Sequence, residues 1–141
     1  MKCFECGKGR LKPAVADVTT TFRNENISVK TQVEVCNRCG FQIVRGQDMG
    51  KFSLLVADEY RRKHGLLTSA EIRGRRERLR MSQEAFARYL GVGIASVKRW
   101  ELGLVQDKAM NELMVLKTDP VRAAQNAKAL SRRLSRVRAA A

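Results

Sequence analysis

"SQEAFARYLGVGIASVKRWELG", residues 82–103, holds two short amphipathic segments separated by glycines. Ser82 offers a side-chain oxygen that caps the first. Phe86 and Leu90 share one face a turn apart, and Ala87 beside them is small enough for a second helix to cross closely. Gly91 stands where that helix must end on a left-handed residue. Ile94, Val97 and Trp100 recur at helical spacing and form the inner face of the second segment. Ala95, Ser96, Lys98 and Arg99 are left pointing outward. A helix whose exposed face is small and basic suits the major groove of DNA. Two helices of an ordinary bundle are the alternative that periodicity alone leaves open.

Outward from this pair, Thr68 and Glu71 form a T-x-x-E capping box, marking a helix start. The pattern predicts helices over about 69–80, 82–90, 94–101 and 107–117. Pro120 suits the first turn of a fifth, over about 121–138. Earlier in the chain the period changes. "ISVKTQVEV", residues 27–35, alternates, with Ile27, Val29, Val33 and Val35 on one face and Ser28, Lys30, Gln32 and Glu34 on the other. That is a half-buried strand. "AVADVTTTF" before it is rich in β-branched residues. "RNEN", residues 23–26, carries turn chemistry between them, so 14–35 reads as a hairpin. Met49, Phe52, Val56 and Tyr60 then return to helical spacing, with Leu55 widening the stripe and Gly65 as the stop.

The four cysteines all fall in the first 40 residues, as "CFECG" (3–7) and "CNRCG" (36–40). Cys3, Cys6, Cys36 and Cys39 can complete a tetrahedral four-sulfur shell, two ligands from each tight turn. The hairpin between them carries the chain out and back and so brings the pairs together. One structural Zn²⁺ is the expected occupant; iron in a rubredoxin-like site is the alternative with the same ligands. Four protein ligands leave no open position for water or substrate, so catalysis at the metal is not expected. His64, the lone histidine, lies in a basic stretch near a helix end and reads as a surface residue. No candidate acid/base or nucleophile cluster occurs elsewhere, and the chain does not read as an enzyme.

Charge adds a partner. The chain has 28 Lys plus Arg against 14 Asp plus Glu, a net +14. An excess of that size points to a polyanion, most often nucleic acid. It is uneven: residues 120–141 hold six basic side chains and no acidic one. Val121, Ala124, Ala127, Leu130, Leu134 and Val137 line one side of that tail. It either rests one face on the domain or serves DNA-backbone binding or dimer support. The longest apolar run, "LLVA" (54–57), is too short to span a membrane. The first ten residues are polar and no apolar stretch of signal-peptide type follows, so a cytoplasmic location is expected.

Gln83, Ala87, Gly91 and Val97 occupy the first, fifth, ninth and fifteenth places of the helix-turn-helix pattern. With the "RWELG" ending, the segment resembles the Xre/Cro-type family. By that resemblance Gln83 contacts a phosphate. Arg99 is the best base reader, because its planar fork pairs bidentately with guanine. Lys98 and Ser96 serve phosphate or base-edge contacts. Trp100 reads as core, and Glu101 as a structural residue that caps or pairs with an arginine.

Taken together, the "MKCFECGKG" start, the "TFR" at 21–23, "CNRCG" and the segment 82–103 resemble the MqsA (YgiT-type) antitoxin family over about residues 1–118. The resemblance implies an α+β fold in two domains. A small zinc-bound β-hairpin domain with one linking helix spans 1–67. An all-α five-helix Xre/Cro-type helix-turn-helix domain follows, with its DNA-binding part at 68–119 and a basic C-terminal helix or tail at 120–141. It implies that the first domain neutralises a cognate mRNA-cleaving ribonuclease toxin. The second would form a homodimer on double-stranded operator DNA, repressing its own operon at the bacterial nucleoid. The zinc ligands would be Cys3, Cys6, Cys36 and Cys39. The family reads bases with an asparagine and an arginine. Arg99 matches the arginine, but Ala95 stands at the asparagine position and offers a thymine methyl contact in place of a bidentate bond to adenine. The competing assignment is a stand-alone zinc-ribbon Xre-type regulator with no toxin partner.

Overall fold

A computed structural model describes residues 1–140. The chain divides into two compact units, one over Met1–His64 and one from Gly65 onward. The architecture is α+β: a small antiparallel sheet comes first and helices follow.

In the first unit, β1 (Leu11–Phe22) and β2 (Glu25–Cys36) form a long hairpin, and β3 (Gln42–Ile43) adds briefly to the far side of β2. The register runs from Leu11 opposite Cys36 at the open end to Phe22 opposite Glu25 at the tip. The turn is tighter than the expected four residues. Only Arg23 and Asn24 lie outside the strands, both with left-handed backbone (φ 48° and 64°). Two such residues give a turn whose twist matches that of the strands, so Glu25 and Asn26 enter the ladder. The Arg23 guanidinium sits 5.8 Å from the Phe22 ring centroid and 5.5 Å from that of Tyr60.

The alternation in β2 holds: Ile27, Val29, Thr31 and Val33 are buried, while Ser28, Lys30 and Gln32 are exposed. Val35 is only half-buried. A 3-10 turn, Gly46–Asp48, leads into α1 (Met49–Lys63), whose Val56 packs with Ile27 and Val29, joined by Phe22, Phe52 and Tyr60. Met49 and Leu55, expected on the inner stripe, are largely exposed. The buried side of α1 also takes Ala57 and the Asp58–Arg61 ion pair (2.9 Å). His64 does lie at the surface, where Nε2 meets Glu25 Oε2 at 2.9 Å.

Among the described residues the second unit has five helices: α2 (Ser69–Arg78), α3 (Gln83–Leu90), α4 (Ile94–Glu101), α5 (Lys108–Thr118) and α6 (Pro120–Ala140). Four starts are capped by side-chain oxygens, Thr68 for α2, Ser82 for α3, Asp107 for α5 and Asp119 for α6. Each satisfies an amide that the first turn leaves open. Gly91 closes α3 in the left-handed region, as expected. Phe86, Ala87, Leu90, Val97, Trp100, Ile72 and Met114 build one core. Leu67 belongs to it, and a buried polar set fixes its backbone. Asn111 Oδ1 accepts from Leu67 N (2.8 Å) and from Gln106 Nε2 (3.0 Å), and Gln106 donates also to Leu67 O (2.8 Å). Ile94 departs from expectation. It opens α4 and is exposed, so Val97, Trp100 and the buried Glu101 anchor that helix inward.

Candidate metal centre and nucleic-acid interface

The two Cys-x-x-Cys turns are built alike. Gly7 N donates to Cys3 O (3.0 Å) and Gly40 N to Cys36 O (3.1 Å), and both glycines lie at positive φ (62° and 75°). A side chain there would crowd its own backbone, which is why glycine follows each pair. Cys3 N donates to Gly9 O and Cys36 N to Phe41 O, closing both loops. Asn37 binds the first loop's exit in both directions, accepting from Arg10 N at 2.9 Å and donating to Arg10 O at 3.1 Å.

These turns meet at the open end of the hairpin. All four sulfurs lie within 4.8 Å of one another, with Cys3–Cys39 at 3.6 Å and Cys6–Cys36 at 3.7 Å. These separations are too long for a disulfide, and all four thiols are free. They match a tetrahedral metal site, because ligands about 2.3 Å from a central ion stand roughly 3.8 Å apart. Amides are aimed at the sulfurs as well. Gly9 N donates to Cys6 Sγ (3.3 Å), while Arg38 N (3.4 Å) and Cys39 N (3.5 Å) donate to Cys36 Sγ. Such bonds favour the thiolate over the thiol. The amides of Lys8 and Gly9 pull Cys6 down to about 6. The amides of Cys39 and then Arg38 hold Cys36 below its ordinary value, against burial. At Cys39 the Phe41 amide also pulls down, but burial and the three neighbouring sulfurs outweigh it and push the thiol up to about 12. Four thiols crowded together cannot all ionise without a cation between them. The donor set therefore suits a soft metal ion bound by four thiolates.

Gly9 is a residue the sequence pattern did not single out. A Cβ there would overlap Cys36 Sγ and lie 2.9 Å from the Arg38 Cβ. The second turn packs directly on the first loop's backbone, and only glycine leaves room. Its place three residues after Cys6 was a visible signal, but the reason lies 27 residues away in Cys36.

In the second unit, α4 shows Ala95, Lys98 and Arg99 to solvent, with Ser96 half-buried and Val97 and Trp100 buried. Gln83 opens α3 and is half-buried. Its amide donates to Glu101 Oε2 at 2.8 Å. Glu101 is 3 % exposed and is gripped by Arg76, through Nε (2.5 Å) and Nη2 (3.1 Å), with Arg73 Nε at 3.7 Å. Burial pushes the Glu101 carboxyl up, but the bonds from Arg76 and Gln83 and the nearby positive charges outweigh it and lower it. The expected arginine partner of Glu101 is thus Arg76 on α2. The bond to Gln83 was unforeseen, and it fixes where that side chain sits.

Over residues 1–120 the chain matches the model of the MqsA family, the antitoxin component of a bacterial toxin-antitoxin system. The chain belongs to the MqsA antitoxin family. A search of curated proteins finds no match. The MqsA match spans both the four-thiolate cluster and the helix pair α3–α4, and ends at the first residue of α6. An MqsA antitoxin acts as one component of a two-component system, so the family carries the implication of a toxin partner. Among the described residues no helix is long and apolar enough to cross a membrane.

Proposed function

We propose that this protein neutralises a cognate mRNA-cleaving ribonuclease toxin through its N-terminal domain, residues 1–67. We further propose that it represses its own operator as a homodimer through residues 68–119. The MqsA family match over residues 1–120 carries this reading. The metal is one Zn²⁺ held by Cys3, Cys6, Cys36 and Cys39. With all four positions filled by protein, it supplies fold stability and no chemistry.

For the toxin, the sheet supports a docking surface: β1 is an edge strand paired only with β2. A 12-residue strand with one open side offers main-chain groups to which another sheet can add. The test is co-expression with the product of the adjacent reading frame. A stable complex that suppresses ribonuclease activity is expected. If no complex forms with any neighbouring product, the toxin half falls and the stand-alone regulator remains.

For DNA, the support is the exposed face of α4. Val97 and Trp100 turn inward, which leaves Arg99 and Lys98 free to reach a groove. Arg99 reads guanine, Ala95 meets a thymine methyl, and Lys98 and Ser96 hold phosphate or base edges. Gln83 spends one amide proton on Glu101 and keeps a second for phosphate. Replacing Arg99 with alanine is expected to weaken operator binding by about 1–3 kcal/mol and to relax specificity at one base pair. Binding-site selection on both proteins reads this directly; an unchanged preference would mean that another residue is the reader.

A further inference from the structure

Helix α6 begins where the family match ends, and its last ten described residues are exposed. Its first turn is fixed: Asp119 accepts from the amides of Val121 (3.2 Å) and Arg122 (3.1 Å), and Ala123 O lies 3.4 Å from the Tyr89 hydroxyl, which donates more closely to Lys117 O (2.9 Å). From there the apolar positions Ala123, Ala127, Leu130, Leu134 and Val137 repeat at steps of four and three. Exposure climbs along that line, from 3 % at Ala123 to 38 % at Leu130, 54 % at Leu134 and 67 % at Val137. Residues 131–140 are exposed on every side. At about 1.5 Å per residue, roughly 15 Å of helix stands in solvent.

Such a seam invites pairing with a second copy, but its flanks oppose it. In a parallel pair Arg133 of one copy would lie against Arg138 of the other, and α6 holds no acidic side chain to relieve them. The opposite edge is as one-sided. Lys128, Arg132 and Arg136 follow at i, i+4 and i+8, all exposed, so three cations stand about 6 Å apart along one line. Like charges so spaced destabilise an isolated helix, and a polyanion laid along them reverses the sign. We infer that α6 is an accessory DNA-backbone element, in which Lys128, Arg132 and Arg136 bind successive phosphates of duplex flanking the site read by α4. The inference rests on the reading of this protein as a DNA-binding regulator.

The test uses the full chain, the operator duplex and a duplex of unrelated sequence, titrated between about 50 and 200 mM salt. The variant carries Lys128→Ala, Arg132→Ala and Arg136→Ala together; alanine keeps the helix, and circular dichroism checks that. Each lost phosphate contact lowers the salt slope by about 0.9, and a homodimer loses three from each copy, so the slope should fall by about 5 and unrelated duplex should bind about tenfold or more weakly at low salt. Arg99→Ala should instead leave that slope nearly intact and narrow the preference for operator over unrelated duplex. A triple variant with the parent's slope and affinity overturns the inference while leaving the operator reading standing. A parent that binds neither duplex overturns both. If the triple variant changes only self-association or binding to anionic lipid vesicles, the helix serves another partner and the inference is wrong.

Discussion

Replacing Cys36 with serine is expected to unfold the metal-binding end of the first unit while the helices after Thr68 stay native. The reason is how little else holds that end. Its buried apolar cluster consists of Cys3, Leu11 and Cys36, with Cys6, Phe41 and Ile43 partly buried around it. Half of that cluster is cysteine, three of the four ligands. A unit of about 65 residues has too small a core to stand without a staple, and metal binding then becomes folding free energy. Four-ligand zinc sites contribute on the order of 10 kcal/mol, against a net stability of roughly 5–15 kcal/mol for a whole domain. Losing one ligand also removes the sulfur that accepts from Arg38 N and Cys39 N. The second unit has a separate core around Phe86, Val97 and Met114 and does not draw on the metal. Amide hydrogen exchange on the variant should show protection lost over the residues flanking both knuckles and retained from α2 onward. The parent treated with a chelator should give the same pattern. Native-like protection of Leu11 and Cys36 neighbours in either sample would show that the metal is not structural.

Much of this was visible in one dimension because each signal is local. A Cys-x-x-Cys pair needs only its own turn. Thr68, Ser82 and Gly91 act on amides or carbonyls within four residues, so spacing betrays them. The alternation of Ile27, Val29 and Val33 reports one buried face and needs no knowledge of what buries it. What stayed hidden depends on partners distant in sequence or on too few residues to show a period. The two-residue strand β3 cannot alternate visibly. Arg61 stands in the basic run that ends α1, yet it is fully buried and paired with Asp58. Ile94 has the right spacing for a core face, but it opens α4 and is 38 % exposed. Gly9 owes its identity to Cys36, and Gln83 owes its side-chain position to Glu101, 18 residues on.

Glu101→Ala should be the most damaging substitution in the second unit. It removes the acceptor for Arg76, whose side chain is only 13 % exposed, and for Gln83. Breaking a buried ion pair by deleting one partner leaves the other charge desolvated and unpaired, which costs about 3–5 kcal/mol. That is comparable to the whole stability of a small domain. Arg76 would retain its bond to Met81 O (3.0 Å) and a long contact with the exposed Glu77 carboxylate (4.0 Å), which limit the loss. A double variant, Arg76→Met with Glu101→Leu, removes both charges and fills the space with apolar atoms. It should therefore be more stable than Glu101→Ala alone, and a double-mutant cycle in urea measures the coupling. The same pair sets a pH dependence. The Glu101 carboxyl is lowered in the folded state, so it binds a proton less readily there than in the unfolded chain. Its contribution is complete above the unfolded carboxylate range, about pH 4–5, and is lost as pH falls through the lower folded value. Urea titrations of the parent below pH 5 should show stability falling with acid more steeply than in the double variant. Equal slopes, or a Glu101→Ala variant as stable as the parent, would show that the clamp contributes nothing. DNA binding separates the second role of Glu101. Under conditions where Glu101→Ala remains folded, Gln83 loses its anchor, and affinity for any duplex should fall without a change in sequence preference.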